Sequence, residues 1–509
     1  MALGRTRAVG LVGLQGHLVE VEAHLASALP AFALVGLPDA SLAEARDRVR
    51  AAVGSTGLTW PNRRITVNLS PAALPKSGPG FDLAVAIAVL AAAELLDAAR
   101  AAAVVHLGEL GLDGRLRPVR GVLPAVAAAV AAGHRDVVVP EADAAEAALV
   151  PGARVVGCRS LAQVVHRYGG AVAVPDVPAA PPVRAAGAQR TPPGDLADVL
   201  GQGEARAAVE VAAAGGHHLL LVGPPGAGKT MLASRLPGLL PDLDEAEAVE
   251  VTAVHSVAGT FDPDGGLLRR PPYEDPHHTA TPASIVGGGS GQPRPGAASR
   301  AHRGVLFLDE APEFPTAVLQ TLRQPLEHGE VVVHRAAGAA RYPARFQLVL
   351  AANPCPCGRA VGTGLACTCG SLERRRYFGK ISGPLLDRVD VQVEVPAVRR
   401  AELGDPAEST ATVAARVAAA RAAQADRWAG SPWRVNGEVP GRVLRDRLGP
   451  DRGLLGLVDE GVDRGTLTLR GADRVLRLAW TVADLAGRAA PSRDDVGRAV
   501  ALRTRGQAS

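Results

Sequence analysis

The sequence predicts an α/β fold, and three observations predict it. From residue 204 onward, short apolar runs alternate with helix-forming segments, the pattern of a parallel sheet flanked by helices. A Pro- and Ala-rich stretch over 171–194 separates this part from an earlier region of equally mixed character. Beyond Pro396 the alternation stops and helical segments take over.

Taken in order, residues 1–170 form a first α/β unit, with a strand over 64–69, helices over 82–95 and 123–132, and a buried strand over 137–140. Residues 171–194 read VPDVPAAPPVRAAGAQRTPPG in large part, a composition that cannot build a core and predicts an extended linker. The second unit, 195–396, opens with a helix over 204–214 and a strand over 218–222, then a Gly-rich loop and a helix from Lys229. Two further buried strands, 305–308 and 347–351, complete its pattern. Residues 397–509 predict a separate helical lid, clearest over 410–428 and 469–486. No internal repeat is evident.

Composition narrows the class. Of 509 residues, 47% are hydrophobic but only 3% aromatic, so the core is built from Ala, Val and Leu. No apolar run reaches the roughly 18 residues of a membrane span, and the N-terminus lacks a signal-peptide pattern; a soluble cytoplasmic protein with no membrane partner is expected. The net charge of +4 does not by itself mark a nucleic-acid binder. Of 55 basic residues only Lys76, Lys229 and Lys380 are lysines, a bias that singles out any position where a compact ammonium is needed.

Gly223-Pro224-Pro225-Gly226-Ala227-Gly228-Lys229-Thr230 fits G-x-x-x-x-G-K-[ST] in full, between an apolar strand and a helix-forming run. Glycines let backbone N–H groups curl round phosphates, and the helix N-terminus adds its dipole. Lys229 then reaches the β and γ phosphates of ATP, and Thr230 ligates Mg²⁺. The run Val-Leu-Phe-Leu-Asp309-Glu310 follows about 75 residues later: Asp309 suits the Mg²⁺ sphere, and Glu310 suits polarisation of the attacking water. Asn353 ends another buried strand and can orient the same water; a plain turn-forming Asn before Pro354 is the alternative. Arg388 offers a guanidinium to a neighbouring subunit's nucleotide, or else an ordinary surface ion pair with Asp387 or Asp390.

These four elements, in this order, resemble AAA+ ATPases. The flanking segments AAAGGHHLLLVGPPGAGKTMLA, PHHTATPASIVGGG, GVLFLDEAPEF, LRQPLEHGEV, YPARFQLVLAANPCPCG and ISGPLLDRVDVQVEVP resemble the YifB/ComM family of magnesium-chelatase-like ATPases. NLSPAALPKSGPGFDL and GELGLDGRLRPVRGVLPA resemble that family's leading domain, and TLTLRGADRVLRLAWTVADLAG its lid, so the likeness covers nearly the whole chain. The resemblance implies an AAA+ P-loop NTPase core with a helical C-terminal lid, a homo-hexameric ring, and DNA helicase or branch-migration activity in homologous recombination or natural transformation, with recombination proteins as partners. It makes Lys229 and Thr230 the Walker A pair, Asp309 and Glu310 Walker B, Asn353 sensor 1, Arg388 the arginine finger and Arg470 sensor 2.

The leading domain resembles the Lon protease fold (ribosomal S5 domain 2-like). Gly80 stands at the position of the Lon-type serine and Leu123 at that of its lysine, which removes nucleophile and base. Ser77 lies three residues from the serine position, too far to replace it directly. The implied role is therefore ring assembly or DNA holding. Where the family shows Arg-Pro-Phe-Arg, this chain has Pro271-Pro272-Tyr273-Glu274, which would weaken or move any phosphate contact there. Arg335, Arg341 and Arg345 remain as pore-loop candidates for single-stranded or branched DNA, against the plainer reading of a solvated hairpin.

Cys355, Cys357, Cys367 and Cys369 form two C-x-C pairs in one short stretch, while Cys158 stands alone as a small core residue. An odd cysteine count argues against a disulfide framework. Four thiols at this spacing suit a structural zinc site; free or redox-sensitive thiols are the alternative. Two other readings of the chain stand beside the DNA motor: a protein-remodelling or regulatory ATPase, because the engine does not name the cargo, and the motor subunit of a metal chelatase, disfavoured by the leading domain.

Overall fold

The computed structural model describes residues 2–36, 44–72, 74, 76, 78–178, 180–181, 194–289, 293–335, 338–360, 365–381, 383–398, 407–448 and 452–504. Most of the segment expected to be a linker, and Ser77, lie outside these.

The first unit is built on a seven-stranded mixed sheet. Its order is Ala31–Val35, Arg64–Ser70, Gln15–Ala26, Ala2–Val12, Val105–His106, Asp136–Pro140, Arg154–Cys158. Ala2–Val12 and Gln15–Ala26 form a long antiparallel hairpin in which Val19, Val21, Ala23 and Leu25 alternate inward. Against it lies the helix Asp82–Ala92, buried on every face, which explains its all-apolar composition. The contact is so close that a Cβ on Gly4 would stand 2.1 Å from Ala88 O. Asp82, fully buried, survives at the helix start because Arg48 meets both its oxygens at 2.7 and 3.0 Å. Gly80 lies in the turn just before this helix, and Leu123 is buried in the helix Val122–Ala131.

The second unit carries five parallel strands in the order Tyr273–Glu274, Val305–Leu308, Gln347–Ala352, Leu219–Val222, Val391–Glu394. Successive residues feed two different cores. Leu219, Leu221, Val305, Phe307, Val349 and Ala351 point to one face, and Leu220, Val222, Leu306, Leu308, Leu348 and Leu350 to the other. Both faces are therefore covered, as continuous apolar strands require. The first face is shared with the lid: Val413, Val417, Val475, Trp480 and Val496 belong to the same cluster as the sheet. The lid consists of the helices Thr410–Arg427, Gly441–Leu448, Arg452–Asp463, Leu469–Leu485 and Arg493–Thr504.

Tyr273–Glu274 and Val391–Glu394 are strands that the sequence does not announce, being short and at the two sheet edges. The first shows that 273–274, part of the segment where a phosphate contact was expected to be weakened or moved, is a strand of the sheet. Tyr273 and Glu274 pair with Val305 and Leu306, and Glu274 is held by Arg300 at 2.8 Å.

The first unit docks on the second through the helices Val122–Ala131 and Glu245–Ala258. Gly121 N donates to Ser256 O at 3.3 Å, and Ser256 Oγ donates to Glu146 at 2.5 Å. No helix among the described residues is long and apolar enough to cross a membrane.

Candidate nucleotide-binding site

The strand Leu219–Val222 leads into the loop 223–228, and the helix Lys229–Leu239 leaves it. Three glycines make the turn feasible. A Cβ on Gly223 would lie 2.1 Å from Val395 O, and Gly226 and Gly228 have φ of +77° and +85°. Pro224, Pro225 and Ala227 fill the positions between. Gln202, absent from the sequence reading, steadies the loop from outside by donating to Ala227 O and, at 3.2 Å, to Pro396 O. Its signal in the sequence is faint, since a lone Gln ahead of a helix is common.

Lys229 Nζ donates to Gly223 O at 2.7 Å, Pro224 O at 3.0 Å and Asn353 Oδ1 at 3.0 Å. Its three protons are thus met by three oxygens. Burial lowers its pKa, opposed by the carboxylates of Asp309 and Glu310. Thr230 Oγ1 donates to Asp309 Oδ2 at 2.7 Å, and Asp309 Oδ1 accepts from the Glu310 amide at 2.9 Å. Glu310 has φ +50°, a left-handed conformation unusual for a side chain of its size and frequent at working sites. Its carboxylate lies 3.4 Å from His278 Nδ1, an ion pair when the ring is protonated. The rings of His277 and His278 lie close together, tilted by 34°, with centres 4.1 Å apart. Thr230, Asp275, His277, His278, Asp309 and Glu310 line one cleft. The sequence motif Pro276-His277-His278 marked the family but gave His278 no role; only the fold brings it to Glu310.

The set fits a nucleotide with Mg²⁺. Thr230 and Asp309 supply two hard oxygens at one point, the donor type that Mg²⁺ takes. The lysine now resting on loop carbonyls is placed to exchange them for phosphate oxygens.

Arg388 sits elsewhere. It precedes Val391, which pairs with Leu219 at the start of the parallel strands, whereas the phosphate loop follows Val222 at their ends. Arg388 therefore lies at the opposite end of the strands from its own chain's phosphate loop. It forms an ion pair with Glu327. Asp390 is taken by Arg474 at 2.5 Å and His217 at 3.4 Å. Burial works against the charge of Asp390, but Arg474 and His217 outweigh it and hold its pKa far below the usual carboxylate range. Arg470 lies 3.7 Å from Asp387, on the same side as Arg388. The two arginines are thus neighbours, apart from the cluster around Lys229.

Of the arginines in the 334–345 run, Arg341 and Arg345 have separate surroundings. Glu330–Arg335 and Gly338–Pro343 form an antiparallel hairpin. The side chain of Arg335 lies outside the described residues. Arg341 is paired with Glu330 at 2.5 Å, and its carbonyl faces Gly13 of the first unit. Arg345 lies past the hairpin, where its amide donates to His302 Nδ1 at 3.0 Å. Cys355, Cys357, Cys367 and Cys369 do converge, with all four sulfurs within 4.8 Å of one another.

Comparison with known proteins agrees with this geometry. Residues 195–403 match magnesium chelatase, subunit ChlI; residues 21–143 match subunit ChlI of Mg-chelatase; residues 407–503 match the ChlI C-terminal family. An uncharacterised protein of Mycobacterium tuberculosis is 52% identical over 99% of both chains. Competence protein ComM of Haemophilus influenzae is 40% identical over 94% of this chain and 92% of its own. Uncharacterised protein YifB of Escherichia coli is 38% identical over 95% of this chain and 93% of its own. The fold and site define a magnesium-chelatase-like protein of mixed α/β build with a parallel sheet. Within that class, the chain belongs to the YifB/ComM family, and its membership points to an AAA+-like ATPase. Likeness to Lon is weak: Lon protease 2 of Bacillus subtilis is 30% identical over 160 residues, 29% of this chain.

Proposed function

We propose that this protein is an ATP-hydrolysing motor that acts on single-stranded or branched DNA as a ring of six copies, in helicase or branch-migration work during homologous recombination or natural transformation. The observation that carries the motor is the convergence of Lys229, Thr230, Asp309, Glu310 and Asn353 at the ends of one parallel sheet. The DNA assignment draws on the likeness to Competence protein ComM over nearly the whole chain.

Bound Mg²⁺ would neutralise charge on the β and γ phosphates of ATP. Thr230 and Asp309 would hold the ion. Lys229 would exchange the carbonyls of Gly223 and Pro224 for phosphate oxygens, and Asn353 would orient the attacking water. Glu310 polarises that water, and His278 sets the direction of the carboxylate. Arg388 and Arg470 would reach the nucleotide of the adjoining copy, because in their own chain they stand at the opposite end of the strands from the phosphate loop. Recombination proteins are the expected partners, and the cytoplasm the expected location.

The test is ATP hydrolysis by the purified protein with and without single-stranded and forked DNA, beside Lys229→Ala. A severalfold rise with DNA, absent in the variant, is expected. Robust turnover indifferent to DNA would remove the DNA assignment and bring a protein-remodelling role forward.

A further inference from the structure

Cys355, Cys357, Cys367 and Cys369 take no part in the chemistry above, yet they are the one group among the described residues whose Cys, His, Asp or Glu ligand atoms are close enough to hold a metal ion. The sulfurs of Cys355 and Cys357 are 3.3 Å apart, those of Cys357 and Cys367 3.7 Å, and those of Cys367 and Cys355 3.6 Å. Four sulfurs bound tetrahedrally to one zinc ion at about 2.3 Å stand about 3.8 Å from each other. The cluster already has nearly that spacing, and all four are free thiols.

Backbone groups are arranged around the sulfurs. Ala360 N donates to Cys355 Sγ at 3.3 Å, and the amides of Arg359 and Thr368 face Cys357. Such N–H···S bonds favour thiolate and fix ligand direction. An all-sulfur set is soft, which selects zinc over magnesium or calcium. The stretch also needs a fastening. Between the strand that ends at Ala352 and the helix Ser371–Gly379, the described residues form neither helix nor strand.

The position of the cluster gives it a consequence. Cys355 is fully buried two residues after Asn353, whose side chain accepts from Lys229. Gly358, with φ +73°, lies against the phosphate loop so closely that a Cβ there would be 2.6 Å from Pro225 Cδ. Gly358 N in turn donates to Cys355 O at 2.9 Å. One side of the cluster therefore meets Asn353 and the other meets the phosphate loop.

We infer that these four cysteines bind one zinc ion, and that the ion is a structural clasp holding Asn353 and the Pro225 side of the phosphate loop in place. The role of the clasp rests on the reading of that loop as the nucleotide site. On binding, each thiol gives its proton to solvent and no electron is exchanged.

The experiment measures metal content and nucleotide affinity of the full chain, purified without chelators under reducing conditions. About one zinc per chain is expected, released when the thiols are blocked with a mercurial. A Cys357→Ser, Cys367→Ser double variant should lack zinc and bind a fluorescent ATP analogue roughly tenfold more weakly. Should that variant fail to fold, wild-type protein stripped by a chelator and then given zinc back replaces it, with circular dichroism reporting the fold. Wild-type protein that takes up no zinc, or whose cysteines prove to be paired as disulfides by mass, overturns the site. Zinc present, but nucleotide affinity unchanged on its removal, overturns the clasp and leaves the metal site standing. Zinc-loaded protein that binds no nucleotide at all overturns the nucleotide reading and the clasp with it, and again leaves the metal site.

Discussion

Thr230 Oγ1 and Asp309 Oδ2 stand 2.7 Å apart although 79 residues separate them in the chain. The strand Gln347–Ala352 lies between their two strands, so the contact is made by the loop and strand ends reaching over it. Two hard oxygens so placed form the floor of a cation site. Beside it, Lys229 is turned toward carbonyls and Asn353.

Asp309→Asn keeps the shape of the side chain and removes its charge. The magnesium concentration needed for half-maximal ATP hydrolysis should rise, and turnover at saturating magnesium should fall by roughly a hundredfold, about 2.7 kcal/mol at the transition state. A magnesium titration of hydrolysis reads both. An unchanged titration curve would remove Asp309 from the ion's sphere.

Lys229→Ala should abolish ATP hydrolysis, because Lys229 is the one cation of the loop 223–230. Asn353→Ala should keep nucleotide binding while lowering turnover by about tenfold or more, the usual range for a positioned polar group. Steady-state hydrolysis beside analogue binding separates the two. Turnover near wild type in Lys229→Ala would sink the site assignment.

Arg388→Ala should bind nucleotide normally and lose hydrolysis by about a thousandfold, the lower end for a guanidinium acting from a neighbour. Because Arg388 lies at the opposite end of the strands from Lys229, two inactive variants should complement. Mixing Arg388→Ala with Lys229→Ala places an intact loop beside an intact finger and should restore part of the activity. No recovery in mixtures shown to co-assemble would argue for action within one chain.

Asp143 gives a pH prediction at the junction of the two units. Burial raises its pKa to about 7, opposed by the Val119 amide at 2.9 Å. The folded state therefore favours the neutral carboxyl. Stability is greatest below the unfolded value of about 4 and declines as pH rises toward 7. Asp143→Asn should flatten that decline, so that its advantage over wild type grows between pH 5 and pH 8, with a ceiling of roughly 4 kcal/mol. Thermal unfolding of both proteins at the two pH values measures it. Parallel pH slopes would show that Asp143 is charged in the fold without penalty.

Local patterns made the long elements legible. The helices expected over 82–95 and 469–486 are found as Asp82–Ala92 and Leu469–Leu485, because an unbroken apolar run and a strongly two-sided run each leave one stable packing. The short edge strands Tyr273–Glu274 and Val391–Glu394 were not legible, because two to four residues carry too little periodicity. The ion pair of Arg388 with Glu327 was not legible either, because the two residues are far apart in sequence and only the fold brings them together. Asp390 is spent on Arg474 and His217, and Glu327 approaches from another helix.

What the sequence determined by itself was the loop from Gly223 to Thr230 and the acidic strand end at Asp309 and Glu310. Each is a contiguous strand-to-loop signal whose chemistry needs nothing distant to be recognised. Tertiary structure alone decided which residues meet: Asn353 with Lys229, His278 with Glu310, Gly358 with Pro225, and Arg470 with Asp387 at the opposite end of the strands. The physical reason is the strand order. A parallel sheet whose first strand lies between its fourth and fifth joins residues more than a hundred positions apart, and only the packing of both its faces selects that order.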